Sequence, residues 1–404
     1  MPTIAQGIAK QTIFKKQTGV GVPASGSGGQ IMRREKSEFK LEKDTFENNE
    51  IVTHQQSTGA VHGTRKVSGS LSGVVSPNTY STIVASLLRK LFTATANLTG
   101  LAITVGGTPG AYTLTTTGLL AGGLKIGDVI RVTAATGLNA DVLNKNFLII
   151  GLTATVATVI VVNGTTITTG SGTACTISVP GKKSIVPLTG HTKEYWTVEE
   201  WYPDLARSEL FTDVAPSSIE IGLPSTGNAT FSANFVGLNR TISGAQVLTT
   251  PTAATTTAVQ TSVSGAVIVN GVEVGSVSAA SITIDGSVEN LGAVIGSNVG
   301  ADLQRGRIKV SGSITAFFEN ANISTLFDNA TLTNLVIVAC DDDTADADFC
   351  SYSMSAVKFS GDSPDDGEKG IVRTYPFTAE LNGAGGAALA NDQTIISIQD
   401  SQAA

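Results

Sequence analysis

Lys66-Val-Ser-Gly-Ser recurs letter for letter as Lys309-Val-Ser-Gly-Ser, and this repeat decides the fold of the chain. The match extends without a gap from 63–82 to 306–325, where eight of the twenty aligned pairs are identical. Upstream, Phe39-Lys-Leu aligns with Ile282-Thr-Ile in the same register. A spacing of 243 residues is too long for a solenoid repeat. The sequence therefore predicts one domain that has been duplicated and fused in tandem.

The repeated segment alternates with a period of two residues. One face of 65–75 carries Val67 and Leu71 with two glycines, while the other carries one Lys and small hydroxyl side chains. Such alternation is typical of a strand with one face on a core and one face in water. The polar face fits an ordinary exposed sheet surface or a smooth hydrophilic lumen. The candidate lumen-facing residues are Lys66, Ser68, Ser70, Ser72, Lys309, Ser311, Ser313 and Thr315.

A helical pattern follows each copy of this strand. Apolar residues recur at helical spacing between Tyr80 and Leu91, and Ile323, Leu326 and Phe327 stand at the aligned positions of the second copy. Gly, Thr, Ser and Val are abundant elsewhere, which favours strands and turns over long helices. We therefore predict a mainly β protein with two tandem β-sandwich or barrel domains, each with a flanking α-helix.

The two copies differ because a segment is inserted into the first. Residues 99–183 contain only two acidic residues and five or six short strand patterns separated by glycine-containing turns. This predicts a small β-barrel or sandwich module, which we expect to project from the outer surface of an assembly. The expected organisation is an N-terminal arm at 1–37, a first domain made of 38–98 and 184–248, the module at 99–183, a linker at 249–262 and a second domain at 263–404.

The N-terminal 37 residues are polar, basic and rich in Gly and Ser. A segment of this composition buries too little apolar area to fold alone. We expect an arm that becomes ordered against a neighbouring subunit, and a disordered tail is the alternative interpretation.

Charge is shared unevenly between the two parts of the chain. Residues 1–250 hold 20 Lys and Arg against 15 Asp and Glu, whereas residues 251–404 hold 6 against 18. A ring in which copy one touches copy two would gain from this opposition. The acidic part could equally serve only to keep a large particle soluble.

The composition leaves little room for catalysis. His54, His62 and His191 show no metal-type spacing, and the three cysteines, Cys175, Cys340 and Cys350, form an odd set. We predict buried free thiols, no metal, no cofactor and no enzymatic activity. No stretch reaches the roughly 18 apolar residues that span a bilayer, and no secretory pattern is present, so we expect a soluble protein made inside the cell without membrane partners.

Two clusters of side chains stand out. Asp341-Asp-Asp with Asp346 and Asp348 could offer oxygen ligands to calcium, but it lacks the glycine and terminal Glu of a calcium loop, so a solvated loop is favoured. Aromatic residues concentrate at 195–202, where they indicate either a core or a subunit contact. The candidate interface residues are Trp196, Trp201, Tyr195 and Tyr202, together with Asp44, Glu47 and Glu50 of a charged loop.

Three stretches resemble the major tail tube proteins of long-tailed bacteriophages. They are Glu38-Phe-Lys-Leu-Glu-Lys-Asp-Thr-Phe-Glu-Asn-Asn-Glu-Ile followed by Gly63-Thr-Arg-Lys-Val-Ser-Gly-Ser-Leu-Ser-Gly, then Gly127-Asp-Val-Ile-Arg, and Tyr195-Trp-Thr-Val-Glu-Glu-Trp-Tyr-Pro-Asp with Ser208-Glu-Leu-Phe-Thr-Asp-Val. The resemblance covers most of residues 10–240 and is looser in the second copy. It implies a virion protein whose sheets join around a ring, with rings stacked into a tube for genomic DNA.

Most proteins of this kind carry one tube domain and form hexameric rings. The duplication therefore leads us to expect a trimer with a pseudo-hexameric ring, in which copy one lies beside copy two. Residues 1–37 and the loop at 44–50 are expected to mediate ring stacking. The implied partners are further copies of the chain, a tape-measure protein, tail terminator and distal-tail or baseplate proteins, and DNA in transit, with assembly in the host cytoplasm. An exported adhesin-type β-modular protein is the alternative, and a depolymerase is a weaker one.

Overall fold

The computed structural model describes residues 4–51, 53–54, 56, 58–162, 164–365 and 370–403. Its helices are α1 (Ser81–Leu88) and α2 (Asn322–Asp328). The strands of the first 250 residues are β1 (Gln11–Lys16), β2 (Gly26–Ser27), β3 (Gln30–Ile31), β4 (Lys36–Asn48), β5 (Thr58–Val74), β6 (Leu98–Thr108), β7 (Ala111–Thr115), β8 (Val129–Thr136), β9 (Phe147–Leu152), β10 (Val156–Val161), β11 (Gly170–Ser178), β12 (Lys182–Ile185), β13 (Trp196–Tyr202), β14 (Arg207–Leu223), β15 (Thr230–Gly237), β16 (Asn239–Ser243) and β17 (Leu248–Thr249). The remaining strands are β18 (Thr261–Val269), β19 (Val272–Glu273), β20 (Val277–Asp285), β21 (Val288–Asn290), β22 (Leu303–Arg305), β23 (Lys309–Phe317), β24 (Thr333–Cys340), β25 (Phe349–Phe359), β26 (Ser363–Asp365), β27 (Val372–Ala379) and β28 (Ser397–Asp400). The predicted mainly β fold is confirmed.

The first unit, defined here as β1 to β5, α1 and β13 to β16, is a two-layer sandwich. One layer has the strand order β4-β5-β15-β14, and the other has the order β3-β1-β13-β14-β16. Strand β14 serves both layers because it is irregular near Asp213, whose φ is 55°. Phe14 and Phe235 pack between the layers with ring centroids 5.4 Å apart.

The second unit, defined as β18 to β20, β23 to β28 and α2, repeats this arrangement. Its layers have the orders β20-β23-β27-β25 and β19-β18-β24-β25-β28. The registers also recur: Gly69 stands between Phe39 and Phe235 in the first unit, and Gly312 stands between Ile282 and Phe377 in the second. The duplication remains a prediction, and this correspondence supports it.

The two units share one sheet. The second half of β14 pairs with β20 from Ser218 opposite Asp285 to Leu223 opposite Ala280. Strands β4, β5, β15, β14, β20, β23, β27 and β25 therefore follow one another in a continuous sheet, and β26 extends the last position by pairing with β27. We call this the central sheet.

Residues 11–37 do not form a separate arm in this structure. β1 pairs along its whole length with β13, and Phe14 is 3 % exposed in the main core. Arg34 and Met32 continue the chain between β3 and β4, and the Met32 side chain is also buried. This corrects the expectation for these residues: two apolar side chains on a short strand suffice once a partner strand from residues 196–202 is available.

Strands β6 to β11 close into a barrel with the order β10-β7-β6-β11-β8-β9 and a core of its own. This matches the small barrel predicted within the insert. Its outer face does not stand free, because Leu148 and Ile160 pack against Ile268 and Val336 of the second unit in a further apolar cluster. The Lys125 ammonium group also donates to three backbone carbonyls between 386 and 389. The insert therefore holds the second unit against the first.

A buried ion-pair cluster strengthens the same contact. Lys183 of β12 lies 2.8 Å from an Asp128 carboxylate oxygen and 3.1 Å from an Asp392 oxygen. Burial disfavours the ammonium form, but the two carboxylates outweigh that cost and raise the pKa of Lys183. β12 itself pairs with β28, so residues from the middle of the sequence meet residues near its C-terminus here.

Candidate functional site

The central sheet has one continuous polar face. A single row of directly opposed residues crosses it, and residues opposite one another point to the same face. The row runs through Lys36, Ser72, Ser232, Glu220, Thr283, Ser311, Thr378 and Lys358. The structure therefore brings the candidate residues of 66–72 and those of 309–315 onto one face, although they are 243 positions apart. Their role as lumen residues stays a prediction.

The hydroxyl groups of this face contact one another rather than form a pocket. Ser313 Oγ lies 3.0 Å from Ser281 Oγ, and Thr315 Oγ1 lies 3.1 Å from Thr374 Oγ1. Ser68, Ser70 and Ser72 are each half-buried among neighbouring strands. The opposite face of the same strands is apolar and packs into the core. The result is a smooth polar surface with short side chains.

Several charged groups on this surface lie next to groups of opposite charge. Lys66 Nζ lies 2.9 Å from Asp44 Oδ1. Lys36 hydrogen-bonds to Glu38 and lowers the pKa of that carboxyl group. Lys309 is exposed and stands opposite Asp285. The face thus alternates in sign and does not present a basic track that would grip a phosphate backbone.

Both ends of the central sheet are unpaired in the described part of the chain. Among the described strands β4 pairs with β5 alone, so no strand lies against its outward side between Glu38 and Glu47. At the other end, β26 pairs only with β27, and Ser363 to Asp365 are exposed. Free strand edges present rows of N–H and C=O groups that can pair with another chain.

The edge strands β26 and β4 occupy the positions that β14 and β20 occupy where the two units of the chain are joined. Ser363 stands opposite Thr374 on β27 just as Glu220 stands opposite Ser232 on β15. Inside the chain, Glu220 has a second neighbour, Thr283 of β20. β20 corresponds to β4, because Thr283 and Lys40 occupy the same register against the repeated strand. β26 therefore corresponds to the second half of β14 but has no strand in the place of β20. In the same way, β4 corresponds to β20 but has no strand in the place of β14.

The aromatic segment is divided between core and surface. Trp196 is 8 % exposed, and its indole N–H donates to Ser86 Oγ at 3.1 Å. Tyr195 is 7 % exposed, and its hydroxyl group donates to Asp302 at 2.5 Å. Of the two interpretations that the sequence allowed, core packing describes these residues. Trp201 and Tyr202 are half-buried.

The three acidic interface candidates lie on a long hairpin formed by β4 and β5. The strands stay paired out to Asn48 opposite Thr58, well beyond the repeated register. Asp44 is half-buried beside Lys66, whereas Glu47 and Glu50 are exposed. The second unit has no such hairpin, since β21 and β22 form a small sheet that packs near Tyr195 instead.

The cysteines, the possible metal ligands and the helices were also compared with the expectations from the sequence. The three cysteines are free and buried, as predicted. Among the described residues, no cluster of His, Cys, Asp and Glu is arranged to hold a metal ion. Neither of the described helices is long and apolar enough to cross a membrane.

The sequence analysis missed the pairing of β14 with β20 and the two free edges. Residues 217–223, the second half of β14, already show the alternation of a two-sided strand. Pairing between β14 and β20 joins Ser218 to Asp285 and Leu223 to Ala280, positions too far apart in the sequence for a local signal.

A comparison with protein families agrees with this architecture. The family described as phage tail tube protein matches residues 3–379. The chain belongs to this family. No curated protein matches it. As a tail tube family member, the protein is a structural component of the virion, and its family implies self-assembly into a tube with other tail proteins.

Proposed function

We propose that three copies of this tail tube family protein form a closed ring through their central sheets, and that stacked rings form the tube through which genomic DNA reaches the host. The observation that carries the proposal is the internal pairing of β14 with β20. The free edges β26 and β4 are the counterparts of that pair, so repeating the same pairing between chains satisfies both edges.

Strand number supports three chains. One chain contributes eight strand positions to the central sheet. A barrel of about eight strands has an interior just wide enough for its own side chains, and barrel diameter grows linearly with strand number. Three chains give about 24 strands and an open channel about three times as wide. The trimer then has six similar units and is pseudo-hexameric.

The polar face of the central sheet is the proposed channel wall. Its short hydroxyl side chains and paired charges offer a moving duplex neither pockets nor a continuous basic strip. We expect DNA to pass without sequence-specific contacts, because the hydroxyl groups of this face are short and contact one another. The same wall encloses a tape-measure protein during assembly, and terminator and distal-tail proteins cap the tube.

The β4–β5 hairpin is the proposed stacking element. Beyond Lys43 it carries exposed apolar side chains, including Phe46 at 60 % and Val61 at 69 % exposure, which stand opposite each other. Paired exposed apolar groups on a projecting hairpin gain by burial against the next ring. Only the first unit has this hairpin, so each ring offers three of them.

A cysteine pair tests ring closure. The internal pairing of Glu220 with Thr283 predicts that Ser363 of one chain lies opposite Lys40 of the next. Cross-strand Cα atoms in this geometry lie within disulfide range. The double variant Lys40→Cys with Ser363→Cys should cross-link between chains under oxidation, and the products should stop at a covalently closed trimer.

The matched control is Glu220→Cys with Thr283→Cys, which should cross-link within one chain and leave a monomer on a denaturing gel. A ladder that continues to six chains, or imaging of tubes with six chains per ring, contradicts the trimer. Isolated particles without tubes, formed by the unmodified chain under assembly conditions, contradict the tube function and favour the non-tubular alternatives.

A further inference from the structure

Helix α1 is covered on its outer side by the second unit of the same chain. Val84 of α1 and Ser76 before it line a cavity of only 30 Å³ together with Cys350, Tyr352 and Ile398 of the second unit. Val84 is 7 % exposed and Ile398 is 3 % exposed. We call this the internal contact.

Helix α2 has the same position in its own unit but lacks a cover. When the first copy of the repeat is aligned with the second at the spacing of 243 residues, Phe327 aligns with Val84 and Glu319 aligns with Ser76. Of the residues of α2, only Ile323 is buried. Phe318 is 40 % exposed, whereas Val75 at the aligned position is 4 % exposed. An apolar face is thus left open where the first unit has a closed contact.

The first unit carries the surface that matches this open face. Tyr352 stands opposite Ile398 in the pair β25–β28, and Glu209 stands opposite Ile242 in the corresponding pair β14–β16. Ile242 therefore occupies the position of Ile398, but it is 62 % exposed. The same correspondence places Arg207 where Cys350 stands in the second unit.

We infer that the open face of α2 docks onto the Ile242 surface of a second copy of this chain, and that Arg207 of that copy lies across from Glu319. The inference rests on the proposed ring. Inside the chain, β14–β20 pairing and the internal contact join the same two units. When β26 of one chain pairs with β4 of the next, the α2 face is brought opposite Ile242 in the same way.

The charges and shapes of the two surfaces agree with a second copy as the occupant. Arg207 and Glu319 are both exposed and opposite in sign. The first 250 residues are net positive and the remaining ones net negative, which favours contact between unlike units. Phe318 and Phe327 are larger than the Val residues they replace, so they can fill space against Ile242.

Charge reversal tests this contact without entering either core. Arg207→Glu and Glu319→Arg should each weaken assembly by about tenfold in the protein concentration needed for tubes, because each places like charges opposite each other. The double variant should return that concentration to within about twofold of the unmodified chain. Light scattering reports the concentration, and electron microscopy reports the tubes.

Lys145→Glu on the insert is the matched control, because it reverses a charge away from both surfaces, and it should assemble like the unmodified chain. Thermal midpoints of the isolated chains should not differ among these variants. If neither single variant affects assembly, or the double variant is no better than the singles, the α2 docking contact is wrong. The ring itself is judged separately by the cross-link of Lys40→Cys with Ser363→Cys, which does not involve these charges.

Discussion

Helices α1 and α2 stand in equivalent places and have opposite surroundings. Seven of the eight residues of α1 are buried, but only Ile323 of α2 is. The difference does not come from the sandwich beneath them, because the strand registers of the two units agree. It comes from what lies beside each helix. Helix α1 packs against β14 and β12 and also faces Tyr352 and Ile398 of the second unit, so part of its burial is supplied by the neighbouring unit.

The groove beside α2 shows how a single residue changes the packing. Tyr80 of the first unit stacks on Phe231 with ring centroids 4.0 Å apart, and its hydroxyl group donates to Arg33 O. Ile323 stands at the aligned position in the second unit and is too short to fill the same space. A groove of 410 Å³ lined by Ile323, Leu326 and Tyr375 remains there.

The largest expected effect comes from breaking the buried ion-pair cluster that joins Asp128 and Lys183 to Asp392 near the second unit. Lys183→Met should lower the free energy of unfolding by about 3–5 kcal/mol, because two carboxylates with little solvent access lose their partner. Chemical denaturation of the isolated chain measures it. Lys36→Met removes a comparably short but exposed ion pair and should leave the free energy unchanged. Equal effects of the two variants would show that Lys183 does not secure the contact.

A matched pair of isoleucines tests the comparison between closed and open surfaces directly. Ile398→Ala should cost about 2–4 kcal/mol of stability in the isolated chain, since the side chain is 3 % exposed. Ile242→Ala should cost no more than about 0.5 kcal/mol, since the Ile242 side chain is 62 % exposed. Thermal unfolding of both isolated variants measures the two stability costs. A large loss for Ile242→Ala would mean that this surface already supports the single chain.

A smaller effect depends on pH. Burial raises the pKa of Asp400 to about 6, although backbone N–H groups of Asn78 and Gln402 favour its ionised form. The folded state then binds the proton more tightly than the unfolded state does. This contribution to stability is present below the unfolded pKa near 3.8 and is lost as pH rises through about 6.

Asp400→Asn should remove this dependence. The difference in unfolding free energy between the variant and the unmodified chain should shift by up to about 3 kcal/mol in favour of the variant between pH 4 and pH 7. Denaturant titrations at several pH values measure the shift. Asp343→Asn, in an exposed loop, serves as the control. A difference that does not change with pH would contradict the role assigned to Asp400.

The local pattern of the sequence predicted where strands occur better than it predicted which strands pair with each other. The period-two alternation at 65–75 and 307–318 gave the paired strands β5 and β23, and the Gly-punctuated insert gave the closed barrel. The strand β1 was missed because an average over 37 polar residues hid the buried Ile13 and Phe14. Its partner β13 lies some 185 residues away, beyond any local signal.

The sequence of β9 already indicated that the barrel packs against another part of the protein. Phe147, Leu148, Ile149 and Ile150 are consecutive apolar residues, and all four are buried. A strand of a free-standing barrel needs only one apolar face, so an uninterrupted run indicates that both faces are covered. The candidate polar face was predictable from alternation, whereas its continuity through β14 and β20 required the three-dimensional pairing.

The pairing of β12 with β28 has a consequence for how the protein is made. Gln399 near the C-terminus donates to Pro180 O across 219 positions of sequence. Contacts of such separation form late, and a nascent chain emerges from its N-terminus first. On the ribosome, Val84 of α1 therefore stays uncovered on the side of Tyr352 and Ile398 until those residues have been made. A polypeptide that stops before Tyr352 would leave that side of the helix in contact with water.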